Sequence, residues 1–260
     1  MLKVISFTIC PFVQRITALL EAKGLPYQVE YIELANKPDW FLEISPNGQV
    51  PLLLTEQGNA LFESDAIAEY LEDKFGPLQP NLTPEQKALN RAWSYLGSKQ
   101  YLVQCSAQSS GDAETLVERT AKLAGAFAKA EKVLGTHRYF NSNSLSMVDI
   151  AWLPVLHRAW IIKEKTGYDF LAGFPRVQAW QAALMDSGLT APSVSDAFMD
   201  SFEGYYLSER TLLGRLHQHC PKCDCDAHTL EQQCTELQCC DQLQACDTDA
   251  SRCGDSGCCG

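Results

Sequence analysis

Two groups of residues in this chain have types and spacings that could do chemistry. The first is a single cysteine in "TICPFVQR": Cys10 ends an apolar run that reads as a strand, and Pro11 opens the helix after it. A sulfur at a helix N-terminus lies beside backbone N–H groups that have no intrahelical partner. These favour thiolate over thiol and so lower the expected pKa. Thiolate is the form that attacks a disulfide, through a mixed-disulfide intermediate. Val13 stands where a second cysteine would complete a redox pair, so the expected exchange is monothiol and needs a second thiol from outside. The bland alternative is a small buried apolar side chain at a turn.

The second group is a cluster at the far end, where ten of the twelve cysteines fall between Cys220 and Cys259. "HQHCPKCDCDAH" places Cys220, Cys223 and Cys225 beside His217, His219 and His228. Such soft sulfur and imidazole ligands suit zinc, and Cu(I) would also accept the thiolates. Residues 229–245 read as a helix, with Cys239 and Cys246 seven apart on one face. Cys234, Cys240, Cys253, Cys258 and Cys259 add further donors, and "CGDSGCC" has a metallothionein-like thiol density. The other reading is a thiol-rich extension without metal, or one cross-linked by disulfides. No Phe, Trp or Tyr follows Tyr206, so this segment cannot build a substantial core of its own.

The composition bounds the rest. With 46% apolar and 20% charged residues over 260 positions, the chain is that of a folded protein. A formal net charge of −11 argues against nucleic acid or an anionic membrane as the default partner. No apolar run reaches membrane-span length. "MLKVISFTIC" lacks the apolar block and cleavage site of a secretory signal, so the expected compartment is cytoplasmic.

The elements that must position Cys10 follow from local patterns. "LKVISF" reads as a strand, and "PFVQRITALLEAKG" as an amphipathic helix with Pro at its start and Gly24 past its end. "YQVEYIEL" is a second strand, followed by a looser helix around "KPDWFLEIS". Asn47-Gly48 signals a turn before a third strand, "QGNA" turns into a short fourth, and "SDAIAEYLEDKF" is a helix with Ser64 as its expected cap. This is a small α/β unit over residues 1–77. "PLQPNLTP" has linker composition, giving a linker at 78–84. Apolar spacings of three and four from Glu85 onward give an all-helical unit over 85–214, followed by the Cys/His-rich tail at 215–260. Ser146 and Asp149 form an S-x-x-D capping pattern before "IAWLP". Trp93, Tyr95, Trp152, His157 and Trp160 read as packing or ordinary surface.

Together, "CPFVQR", "NGQVP", "FESDAIAEYL", "SMVDIAWLP" and "FPRVQAW" resemble the soluble glutathione transferases over residues 1–205. "CPFVQR" with "NKPDWF" looks like the cysteine-dependent, omega-type and dehydroascorbate-reductase-like members. The resemblance implies a thioredoxin-like N-terminal domain followed by an all-α domain, with Cys10 as nucleophile. It implies glutathione as cosubstrate, held by Phe12 beside the thiol, Lys37 near the glycyl carboxylate and Val50 before a cis Pro51. Glu63 and Ser64 would hold the γ-glutamyl end, and Ser64 could cap its helix at the same time. The Ser146–Asp149 box matches a family folding element. The implied activity is glutathione-dependent thiol transfer, as deglutathionylation or dehydroascorbate-type reduction of small or protein mixed disulfides, by a homodimer. The alternatives are a metal storage or delivery protein on a transferase-fold carrier, and a transferase that conjugates electrophiles.

Overall fold

The computed structural model describes residues 1–219. Candidate ligands from Cys220 to Cys259, His228 among them, the side chain of His219 and the helix expected over residues 229–245 lie outside the described residues.

The chain opens as β1 (Leu2–Ser6), α1 (Pro11–Ala22), β2 (Tyr27–Tyr31), α2 (Asp39–Ile44), β3 (Leu52–Leu54), β4 (Ala60–Phe62) and α3 (Ser64–Phe75). The four strands form one sheet in the order β2-β1-β3-β4. β1 pairs with β2 in parallel and with β3 antiparallel, and β3 pairs antiparallel with β4. Alternating side chains face opposite sides of a strand: Leu2 and Val4 join the large core with α1 and α3, while Ile5 and Leu52 pack with Ile32 and Phe41 of α2 on the other face.

The rest is helical: α4 (Pro84–Ser98), α5 (Gln100–Gln108), α6 (Ala113–Val133), α7 (Met147–Thr166), α8 (Pro175–Met185), α9 (Phe198–Tyr206) and α10 (Leu212–His219). Thr83 and Gln86 close a capping box on α4, so the cap Thr83 and the first helical residue Pro84, read as the end of the linker, belong to the start of that helix. Leu207–Thr211 separates α9 from α10, and the Thr211 hydroxyl accepts from the Gly214 amide to start the second helix.

Helix α7 is apolar nearly all round and almost wholly buried, as a helix packed on every side must be. Its start is fixed by the Ser146–Asp149 box. The Asp149 carboxylate accepts from the Ser146 amide at 2.8 Å, the Ser146 hydroxyl at 2.6 Å, the Phe140 amide at 2.9 Å and the Trp180 indole at 2.7 Å. One side chain thereby ties the 134–146 loop and α8 to the central helix. Trp152 is fully buried and donates to the Trp93 carbonyl. Trp160 and Tyr95 keep 40% and 36% of their surface exposed, the packing-or-surface division expected of this set.

A buried polar network joins α1 to α7. Arg158, 1% exposed, donates through Nη1 to Gln14 Oε1 and to the Pro154 carbonyl at 3.0 Å, and through Nη2 to the Ile9 carbonyl at 3.1 Å. Because its oxygen is taken by Arg158, Gln14 presents Nε2 to Ser193 Oγ at 3.2 Å and to His157 Nδ1 at 2.9 Å. His157 Nδ1 is therefore an acceptor and its ring neutral. Burial, with the neighbouring Arg158 charge, lowers the His157 pKa to about 3.

Two predictions follow from these contacts. Asp149→Ala strands four buried donors and is expected to lower stability by about 3 kcal/mol, against about 1 kcal/mol for Ser146→Ala; urea unfolding at pH 7 with unchanged slope measures both. The His157 ring refuses, in the folded state, a proton that the unfolded chain takes up near pH 6.5. Its contribution is therefore fully present above about pH 6.5 and is lost as pH falls toward 3, at up to about 1.4 kcal/mol per pH unit. In His157→Gln the stability difference between pH 7 and pH 5 should shrink by about 2 kcal/mol; an unchanged difference contradicts the assignment.

Candidate active site

The sheet register brings the sequence-predicted residues to one end of the molecule. Ile5 lies opposite Leu52, and Leu52 opposite Phe62. The chain leaving β1 toward Cys10, the Val50–Pro51 bond entering β3 and the Glu63–Ser64 turn leaving β4 therefore lie at the same end of the sheet's strands. Val50–Pro51 is cis, as the resemblance implies.

Cys10 is the N-cap of α1, in extended conformation, with Pro11 at the first helical position. It is half-buried and free. Burial pushes the thiol pKa up; the backbone N–H groups of Val13 and Phe12 and the charge of Arg158 pull it back, and Cys105 adds a smaller upward push. This corrects the expectation of a lowered pKa. The helix N-terminus does act in the expected direction, but desolvation of the anion in the domain interface outweighs it. Beside the sulfur is a cavity of about 10 Å³ lined in part by Ser6, Gln14, Tyr31, Ser193, Ser195 and Phe198, room for about one water.

Phe12 is half-buried, its ring meeting Tyr101 of α5 edge-on at 4.9 Å. The Lys37 ammonium lies over the Asn47–Gly48 turn, where a Cβ on Gly48 would stand 3.8 Å from Nζ. Gly48 has φ +59, a conformation that glycine adopts without steric cost.

The Glu63–Ser64 turn departs from the sequence reading. Glu63, not Ser64, occupies the N-cap of α3; it makes no side-chain cap bond, and its φ of 66 lies in the left-handed region. Ser64 is the first helical residue and is buried. The positive φ carries the chain round one residue earlier than an ordinary Ser cap would, so the hydroxyl is not positioned to cap. Asn47 Nδ2 donates to Glu63 Oε1 at 2.9 Å, which links the cis-proline loop to this turn. Arg15, 1% exposed in its side chain, pairs with Asp65 and fixes the start of α3 against α1.

Sequence reasoning missed Arg158, Gln14, Asn47 and Tyr101. A single arginine inside the apolar run "VDIAWLPVLHRAWII" was the available signal for Arg158, since a buried charge needs partners. Gln14 and Tyr101 carry no such mark. Among the described residues no group of three His, Cys, Asp or Glu side chains could hold a metal ion. His217, a candidate ligand, has Nδ1 2.8 Å from the Lys165 carbonyl. No described helix is long and apolar enough to cross a membrane.

Comparison with known proteins agrees with this geometry. The family profile for the glutathione S-transferase N-terminal domain matches residues 9–74, and that for the C-terminal domain residues 113–183. Glutathione S-transferase omega-1 of Sus scrofa is 33% identical over 215 residues, covering 80% of this chain and 86% of that protein. A rice protein named "Probable glutathione S-transferase DHAR1, cytosolic" is 31% identical over 67% of this chain and 79% of its own length. The crystal structure of glutathione transferase Omega 3C from Trametes versicolor superposes with a TM-score of 0.65 at 29% identity, over 75% of this chain and 89% of that one. A rice transferase solved with glutathione, 22% identical with a TM-score of 0.66 over 84% of this chain and 98% of its own, shares the fold. The chain belongs to the glutathione S-transferase family, among its omega- and DHAR-like, cysteine-type members.

Proposed function

We propose that the protein is a glutathione-dependent thiol transferase in which Cys10 is the nucleophile. The observation that carries this reading is the convergence of the Cys10 helix cap, cis-Pro51 and the Glu63–Ser64 turn at one end of the sheet. The Cys10 thiolate attacks the glutathione sulfur of a mixed disulfide; the Cys10–glutathione disulfide forms, and the substrate leaves as a thiolate that takes up a proton. A second glutathione thiolate attacks that bond, yielding glutathione disulfide and restoring Cys10. In the same reading Val50 and Pro51 hold the cysteinyl part of glutathione, Glu63 and Ser64 its γ-glutamyl end, Lys37 its glycyl carboxylate, and Phe12 flanks the sulfur. Substrates are small or protein mixed disulfides, or a dehydroascorbate-type oxidant. The functional unit is a homodimer, each chain divided at 1–77, 78–84, 85–214 and 215–260.

Cys10→Ser is expected to lower turnover of a small glutathione mixed disulfide by at least about a hundredfold, and the glutathione adduct that maps to Cys10 by peptide mass spectrometry should vanish; retained turnover overturns the reading. The tail's C-x-x-C-x-C run and thiol density support soft-metal binding, with zinc proposed first. Native mass spectrometry of the reduced full chain should then show metal adducts that fall away in mildly acidic solution, because ligation displaces thiol protons; a metal-free mass at neutral pH after zinc addition removes the proposal.

A further inference from the structure

Two arginines are buried where α1 meets its neighbours, and the protein treats them differently. Arg15 has a carboxylate, that of Asp65. Arg158 has none among the described residues: its partners are the carbonyls of Ile9 and Pro154 and the amide oxygen of Gln14, and its Nε is buried without a partner. A guanidinium stays cationic at neutral pH, and a buried cation without a counter-ion is costly to maintain.

The placement of that cation is specific. Nη2 holds the carbonyl of Ile9, the residue before Cys10, and Nη1 holds the side chain of Gln14, whose own amide donates to the Cys10 carbonyl at 3.1 Å. The guanidinium thus brackets the Cys10 turn from both sides along the chain. With 1% exposure, its field is little screened by salt.

We propose that Arg158 is a positioning residue for the thiol chemistry, the fixed counter-charge of the Cys10 thiolate, delivered from α7 to the first turn of α1. The proposal rests on the reading of Cys10 as nucleophile. The groups facing Arg158 are Cys10 itself, Tyr101 and Cys105 of α5, and Tyr206 of α9, whose hydroxyl is hydrogen-bonded to Cys105. The Phe198 ring of α9 lies 5.4 Å from the guanidinium carbon. Burial pushes both phenols up, so each stays protonated and neutral near pH 7, and the adjacent His157 is neutral as well. Tyr31 of β2 lines the cavity beside Cys10. Among the described groups that face the cation, Cys10 is the one whose turn the cation holds. When glutathione is captured on Cys10 the anion disappears and the cation is again uncompensated, so the same charge favours release of Cys10 as thiolate in the resolving step.

The test is the pH profile of Cys10 alkylation by iodoacetamide in the reduced full chain, read peptide by peptide by mass spectrometry, for the parent, Arg158→Lys, Arg158→Gln and Arg158→Met. The two neutral variants should raise the Cys10 midpoint by about one pH unit, about tenfold less thiolate at neutral pH. Arg158→Lys should stay near the parent, and the tail cysteines serve as an internal control. If Arg158→Met fails to fold, Arg158→Gln, which keeps a donor for the Ile9 carbonyl, decides. The proposal is overturned by an unmoved Cys10 midpoint in a folded neutral variant, by Arg158→Lys shifting as far as Arg158→Met, or by a shift confined to Cys105. Should Cys10→Ser retain turnover, the nucleophile assignment fails while the Cys10 titration still reads the Arg158 field, so the two failures are distinguishable.

Discussion

A buried guanidinium must find acceptors, and in this chain the search for them joins the two halves. Arg158 is carried on the central helix of the all-α unit, yet two of its three acceptors belong to the sheet unit: the Ile9 carbonyl just before the α1 cap and the Gln14 side chain in the first turn of α1. The orientation of Gln14 follows from that contact and in turn fixes the acceptor role of His157 Nδ1 and the contact to Ser193. Apolar packing between α1 and α7 would hold the halves together under many small displacements, because it is non-directional. Hydrogen bonds to a buried charge are directional and costly to leave unmade, so they select one register of α1 against α7, and with it one position for the sulfur at the tip of α1.

The same burial sets the chemistry against itself. Placing Cys10 at the interface removes water from its anion, which favours the thiol, while the amides of Val13 and Phe12 and the Arg158 charge favour the thiolate. The outcome in the free protein lies on the side of the thiol. This restraint has a chemical use: a thiol held toward its protonated form is less exposed to indiscriminate oxidation, and nucleophilicity falls as pKa falls, so its thiolate attacks better once formed.

Much of this was legible in the sequence, and what was not has identifiable causes. The strand and helix order up to Phe75 follows from periodicity and punctuation, and the S-x-x-D box at Ser146 predicts its own hydrogen bonds because both partners lie within one turn. Long-range partners are a different matter. Gln14 and His157 are separated by 143 positions, and neither residue type signals the other. The pKa direction at Cys10 was misjudged for a related reason: the helix N-terminus is a local feature that a sequence displays, whereas desolvation depends on what residues distant in sequence, such as Tyr31, Ser193 and Phe198, place around the sulfur. The Ser64 cap failed more narrowly, since the pattern of a small polar residue before a helix does not reveal a positive φ one residue earlier.

That positive φ at Glu63 connects fold to site. A non-glycine residue in the left-handed region costs on the order of 1 kcal/mol or more, and nothing in a plain strand-to-helix connection requires it. Two contacts accompany it here: the Glu63 carbonyl accepts from the Ile67 amide to begin α3, and the Glu63 carboxylate accepts from Asn47 of the cis-proline loop. A glycine would relieve the backbone cost but would delete the link between the two loops. Retaining a side chain at this conformational cost is what joining the two loops requires: the carboxylate must stand at this end of the sheet while the chain turns sharply enough to start a helix there. The turn, the cis-proline loop and the Cys10 cap are thereby held as one surface, with Arg15 and Asp65 bracing the helix behind it.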